Sequence, residues 1–410
     1  MSNLALFGGS AVFDQVVELK SIWPPVDETT ARRLQEIYYS RNWSAFHEAD
    51  QVFAEAFATH HHAKYGIFMF NGTVTLQCAL AAHGIGHGDE VIVPPLTWYA
   101  TSQAVRHVGA KPIFVDIKPD TLCIDPAKIE AAITDRTRAV IPVHAYGAMA
   151  DMERMMQLAK HHNLIVVEDC AHMHGANWDG KGVGSIGHVG SFSFQQSKTM
   201  SSGEGGICIT SDLHSADRMF RMKQIGYGMG EQPKQSKGGV PKGLLCYNFR
   251  ATAFQAVILQ EQLKMLDSRL ERYRQSVLYL EERLGESTRI RFQKREPKTR
   301  RQGYFGWVMI FDDPAYAGIP IELIQKAIYA EGLPLITAEG PIYRHALFNL
   351  DSDEYRIDQP CTVTELACSR ILWLFHAYLG LGMQAVERIA AAIEKVVNNM
   401  DELKSYAANR

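Results

Sequence analysis

Residues 65–84 read YGIFMFNGTVTLQCALAAHG, an apolar run of strand length that turns at Asn71 and Gly72 directly into a helical pattern. The same grammar recurs downstream. EVIVPP (90–95) precedes a helix from about 98 to 108, PIFVDI (112–117) precedes DPAKIEAAIT (125–134), and RAVIPV (138–143) precedes MERMMQLAKHH (152–162). LIVVED (164–169), SFSF (191–194) and GICIT (206–210) complete the series. Short β-branched runs alternating with helical segments predict an α/β fold, a mostly parallel sheet covered by helices on both faces.

Outward from that core, Asp27 caps a helix with Leu34 and Ile37 on one face, and a second helix is predicted over 46–60. Beyond the sheet, glycine, proline and lysine interrupt the pattern at 227–247, a connection long enough to imply a function or a covering partner. A long helix is predicted over about 251–283, followed by strands near YFGWVMIF (304–311) and RILWLF (370–375), a helix near IELIQKAIYAEG (321–332) and a last helix from about 383. The expected division is an N-terminal arm (1–26), a large α/β domain (27–250), and the long linking helix with a small C-terminal α+β domain (251–410).

The composition narrows the partners. The 410 residues are 46% hydrophobic and 21% charged with a net charge of −3, so no basic field draws nucleic acid or anionic lipid. Seven widely spaced cysteines without a C-x-x-C pair read as reduced core thiols. The opening MSNLALFGGSAVFDQ has no basic leader, and no later run reaches the length of a membrane span, so a soluble cytoplasmic protein is expected.

Four stretches put reactive groups at the carboxyl ends of the predicted strands, where such sheets bind ligands. Gly72 and Thr73 open a helix whose free N–H groups suit an anion. Asp169 ends an aliphatic run, where a carboxylate needs a cationic or donor partner. Trp98 offers a flat face to a planar ring. In SFSFQQSKTMSSGEGG (191–206), Ser193 supplies a hydroxyl and Lys198 an amine among glycines that admit a phosphate. Phosphate cradle, ring-nitrogen carboxylate, stacking aromatic and amine together describe pyridoxal 5′-phosphate held as a Schiff base. The histidines at 60–62 and 161–162 lack the spacing of a metal site, and none is expected. GIGHGDE (84–90) follows no strand and does not fit a dinucleotide fingerprint.

The motifs also resemble the DegT/DnrJ/EryC1/StrS group of pyridoxal-phosphate sugar aminotransferases, within fold type I, over nearly the whole chain. EDCAHMHGA (168–176) is similar to the family's EDxAQxHGA, FSFQQSK with GEGG to FSFxxxKxxxxGEGG, and YNFRATAFQA (247–256) to GxNxRMxxxQA. The resemblance implies Asp169 at the pyridine nitrogen, His172 at the ring hydroxyl, Lys198 as the Schiff-base lysine and Ser193 on the phosphate. It also implies Asn248 reaching the phosphate of a neighbouring subunit, hence a homodimer with shared active sites. His172 in place of glutamine, QQ at 195–196 and TAEGPIYRHALF (337–348) look most like the branch of L-glutamine:scyllo-inosose and 2-deoxy-scyllo-inosose aminotransferases and 3-amino-5-hydroxybenzoate synthases. The implied reaction carries an amino group from L-glutamine or L-glutamate to a keto-cyclitol in two half-reactions, through the pyridoxamine form and with ping-pong kinetics. A nucleotide-linked keto-sugar or a 3-amino-5-hydroxybenzoate-type acceptor is the alternative. Tyr343 and His345, in the distal motif, are expected at the acceptor pocket. A lysine at 198 argues against a dehydratase of the same fold, which would carry histidine there.

Overall fold

The computed structural model describes residues 2–44, 47–230, 239–338 and 340–409. Its centre is an eight-stranded sheet in the order Tyr65–Met69, Gly206–Thr210, Val189–Ser193, Ile165–Asp169, Thr137–Val140, Glu90–Val93, Lys111–Phe114 and Arg356–Ile357. Gly206–Thr210 runs against both its neighbours, and every other pairing is parallel.

Both faces of this sheet are buried, and the alternation of side chains along each strand shows how. Phe68, Ile92, Val140, Val166 and Phe192 enter one hydrophobic core, while Ile67, Val91, Ala139, Val167 and Val189 enter a second. Neighbouring residues therefore point to opposite cores, which is why the strands read as unbroken apolar runs.

The long helix is Ala253–Thr288, opened by a capping box between Thr252 and Gln255. Leu259, Leu266, Leu270, Tyr273, Val277, Leu280 and Leu284 are buried along it at helical spacing. Leu284 extends that face past the expected end near 283, and the helix stops where Arg289 turns left-handed at φ 56°.

The C-terminal third builds an antiparallel sheet in the order Arg291–Phe292, Gly306–Ile310, Ile371–Phe375 and Ile336–Thr337. The segment DPAKIEAAIT forms only one α-turn, Pro126–Ile129, and a 3-10 turn, Glu130–Ala132, instead of the full helix its pattern predicts. Two features have no periodic signal of their own: the edge strand Arg356–Ile357, and a small sheet of Asn177–Trp178, Lys181–Gly182 and Thr299–Arg301. Both are too short for a pattern to register. Among the described residues, no helix is long and apolar enough to cross a membrane. Part of the 227–247 connection, residues 231–238, lies outside the described residues.

Candidate active site

A cavity of about 530 Å³ opens at the carboxyl ends of the parallel strands. Seven of the sequence-predicted residues line it: Gly72, Thr73, Trp98, Asp169, His172, Ser193 and Lys198. Asp169 and Ser193 are the last residues of their strands, and Gly72 is the first of the helix Gly72–Ala82.

Asp169 is 6% exposed, its Oδ2 accepting from the Thr101 hydroxyl at 2.9 Å and its Oδ1 from the Ala171 N–H at 3.2 Å. Burial raises its pKa, and the hydrogen bonds and the Lys198 charge oppose that rise. Lys198 is half-buried in the cavity wall, its Nζ 4.6 Å from the centre of the Phe305 ring. Desolvation lowers its pKa to about 8 against the pull of Asp169.

The end of the helix Gly72–Ala82 is arranged for an anion. Asn71 caps it by accepting from the Val74 N–H at 3.0 Å, and the N–H groups of Gly72 and Thr73 meet no acceptor among the described residues. The Ser193 hydroxyl stands beside them, so close that a Cβ on Gly72 would lie 2.7 Å from the Ser193 Cβ.

His172 stacks on Phe305 with ring centres 3.8 Å apart and planes 1° from parallel. The Tyr146 N–H lies 3.3 Å from its Nδ1, and burial holds its pKa well below the ordinary histidine value. A backbone N–H can only donate, so Nδ1 is the acceptor and the neutral ring carries its proton on Nε2. Trp98 is 48% exposed at the cavity edge.

The other three expected residues do not line this cavity. Asn248 is exposed and joins Gln224 in an isolated β-bridge. Tyr343 packs its ring against Phe114 and donates to Glu365 Oε1 at 3.1 Å. His345 lies 5.9 Å from the Tyr99 ring, its Nδ1 accepting from the Leu347 N–H. The distal motif instead sends Thr337 and Gly340 to the wall, with Ile336 just before it, and Phe305 and Trp373 join them. Phe305 and Trp373 lie in stretches read only as strands and Thr101 in one read only as a helix, and only the folded chain brings them to the cavity of Asp169 and Lys198. Glu168 had a readable signal, an acid inside an aliphatic run. Fully buried, it accepts from the N–H groups of Gly184, Ile186 and Gly187 and lies 3.1 Å from His144 Nε2, which anchors the strand end carrying Asp169.

The run at 60–62 disperses, His60 to Asp267, His61 to the Gly175 N–H and His62 to the Gly182 N–H. His161, His162 and Glu130 do converge at the surface, with ligand atoms within 4.8 Å, and His162 Nε2 is 3.2 Å from Glu130 Oε1.

Residues 24–394 match the model of the DegT/DnrJ/EryC1/StrS aminotransferase family. The chain is 34% identical to an L-glutamine:2-deoxy-scyllo-inosose aminotransferase of Streptoalloteichus tenebrarius, covering 94% of this chain and 96% of the relative. It is 33% identical to the L-glutamine:scyllo-inosose aminotransferase of Streptomyces griseus, over 98% and 99% of the two chains. The solved structure of 3-amino-5-hydroxybenzoic acid synthase superposes with a TM-score of 0.84 at 27% identity, covering 95% of this chain and 100% of that one. The architecture is that of a fold type I aminotransferase, and this chain belongs to the DegT/DnrJ/EryC1/StrS aminotransferase family.

Proposed function

We propose that the protein holds pyridoxal 5′-phosphate in this cavity and transfers the amino group of L-glutamine, or L-glutamate, to the ketone of a keto-cyclitol of the scyllo-inosose type. The observation that carries this reading is a desolvated amine, Lys198, sharing one cavity with a buried carboxylate, Asp169, and the open N-terminus of the helix Gly72–Ala82. The two named relatives supply the substrate class.

The donor set fits the cofactor. The Gly72 and Thr73 N–H groups with the Ser193 hydroxyl would hold the phosphate, Asp169 the ring nitrogen, His172 the ring oxygen through its Nε2–H, and Trp98 a ring face. In a homodimer, the partner subunit's Asn248 would add a phosphate contact. When bound, the cofactor supplies an electron-poor ring that delocalises the electrons of the bond broken at the donor's α-carbon.

The chain's own groups do the rest. Asp169, whose carboxyl oxygens accept from Thr101 and Ala171, would hold a proton on the ring nitrogen. Lys198, with a pKa of about 8, has an appreciable neutral fraction near physiological pH and serves as the base that takes the α-proton. In the second half-reaction the same amine delivers a proton to the acceptor carbon. Phe305 and Trp373 shield it from bulk water. A cytoplasmic setting belongs to the same reading, supported by seven cysteines that are all free.

The test supplies the loaded protein with L-glutamine and, separately, scyllo-inosose, 2-deoxy-scyllo-inosose and a nucleotide-linked keto-sugar, and follows the aminated product by mass spectrometry. An aminated cyclitol with parallel double-reciprocal plots is expected. Amination of the nucleotide-linked sugar alone would overturn the acceptor.

A further inference from the structure

The loop bearing Lys198 is held from behind, carbonyl by carbonyl, by side chains from three distant parts of the chain. Trp23, in the N-terminal arm, donates its indole N–H to the Gln196 carbonyl at 2.7 Å. His376, after the strand Ile371–Phe375, sets Nε2 3.1 Å from the Ser197 carbonyl. Arg269, on the long helix, donates to the Thr199 carbonyl at 2.8 Å. The three side chains also meet one another: the Trp23 and His376 rings pack edge to face at 4.5 Å, and the Arg269 guanidinium lies 5.1 Å over Trp23.

Loops are ordinarily exposed and mobile, whereas this one is tied by three side chains that are each less than a tenth exposed. Among the described residues no carboxylate pairs with Arg269, so a buried charge is committed to a main-chain oxygen, an arrangement with a large desolvation cost. The Ser197 carbonyl belongs to the peptide unit that contains the Lys198 nitrogen. A carbonyl can only accept, so His376 Nε2 carries the proton. Nδ1 is then the acceptor for the Tyr273 hydroxyl, 3.2 Å away. Burial keeps the ring neutral, with a pKa of about 3, so this tautomer persists across the working range.

We propose that His376, oriented by Tyr273, is a positioning residue: its Nε2–H fixes the peptide plane of Lys198 and so the reach and desolvation of the amine. This rests on the reading of Lys198 as the cofactor-bearing lysine. Phe305 connects the two groups on the other side, 6.2 Å from the His376 ring and 4.6 Å from Lys198 Nζ.

The experiment compares His376→Phe, which keeps an aromatic packing partner, with His376→Gln, which keeps an N–H donor, and adds Tyr273→Phe as a milder variant. In the cofactor-free protein, the pH midpoint for modification of Lys198 by an amine reagent is read by peptide mass spectrometry. In the loaded enzyme, kcat and KM for L-glutamine are separated. His376→Phe should raise the Lys198 midpoint above about 8, because a loosened amine regains water, and lower kcat by about tenfold with KM within twofold. His376→Gln should recover most of both, and Tyr273→Phe should shift both in the same sense by less. A folded His376→Phe with wild-type midpoint and kcat would overturn the proposal, as would equal loss in His376→Phe and His376→Gln. If His376→Phe does not fold, an unchanged midpoint in Tyr273→Phe overturns it. A wild-type protein whose cofactor is not joined to Lys198 would instead sink the underlying reading, a result visible before any variant is made.

Discussion

Burial lowers the Lys198 ammonium to about 8 while the charge on Asp169 pulls it upward. Removing that charge with Asp169→Asn should therefore move the Lys198 midpoint below about 8 in the cofactor-free protein, a shift readable by pH-dependent amine labelling. The same variant should cut turnover by about 10²- to 10⁴-fold, the scale of a misplaced catalytic proton. The sign of the stability effect follows from the direction of the shift. Between about 8 and the ordinary 10.5, the native amine has released a proton that the unfolded chain still binds. Stability of the cofactor-free protein should thus rise with pH across that window, and Lys198→Met should flatten the rise in a series of denaturant melts. Lys198 and Asp169 were both legible in the sequence, because each is a charge set where apolar or small residues dominate. Thr101, which donates to Asp169, was not, since nothing local distinguishes it from any helical threonine.

On the proposed reading the end of the helix Gly72–Ala82 holds the anion, and its sequence states how: Asn71 caps, and Gly72 leaves room. A Cβ at residue 72 would meet the Ser193 Cβ at 2.7 Å and its Oγ at 3.2 Å. Gly72→Ala should lower stability by about 1–3 kcal/mol, as overpacking does, and should speed loss of the phosphate-bearing cofactor in dialysis followed by absorbance. Asn71→Ala should cost about 1 kcal/mol in thermal unfolding, the usual worth of such a cap. Strand-to-helix turns of this kind are readable because a single boundary contains both periodicities. The distal motif was harder. Its Tyr343 and His345 looked like pocket residues, yet Tyr343 is tied to Glu365 while Thr337 and Gly340 face the cavity. Residue type alone could not separate the two, because the motif runs through short turns with no face to read.

At the scale of the molecule, the ends of the large sheet carry the candidate site and the C-terminal third closes over it, with Trp373 in the antiparallel sheet and Phe305 just before one of its strands. The parallel core was legible from its repeating grammar, but this closure depends on packing between distant segments and leaves no periodic trace. Tyr38, Tyr39 and Trp43 are exposed, with the Tyr38 ring in contact with both of the others, an apolar patch that would suit the second copy of the proposed homodimer. If sites are shared, Lys198→Ala and Asn248→Ala should each be impaired alone. Mixed and reassociated, they should regain up to about a quarter of wild-type activity, since half the dimers would be mixed with one intact site each. The measurement that reaches the centre is borohydride reduction of the cofactor-loaded protein, with and without prior L-glutamine, followed by peptide mass spectrometry. The expected result is a phosphopyridoxyl group on Lys198 that prior L-glutamine prevents. A label on another lysine, or none at all, would contradict it.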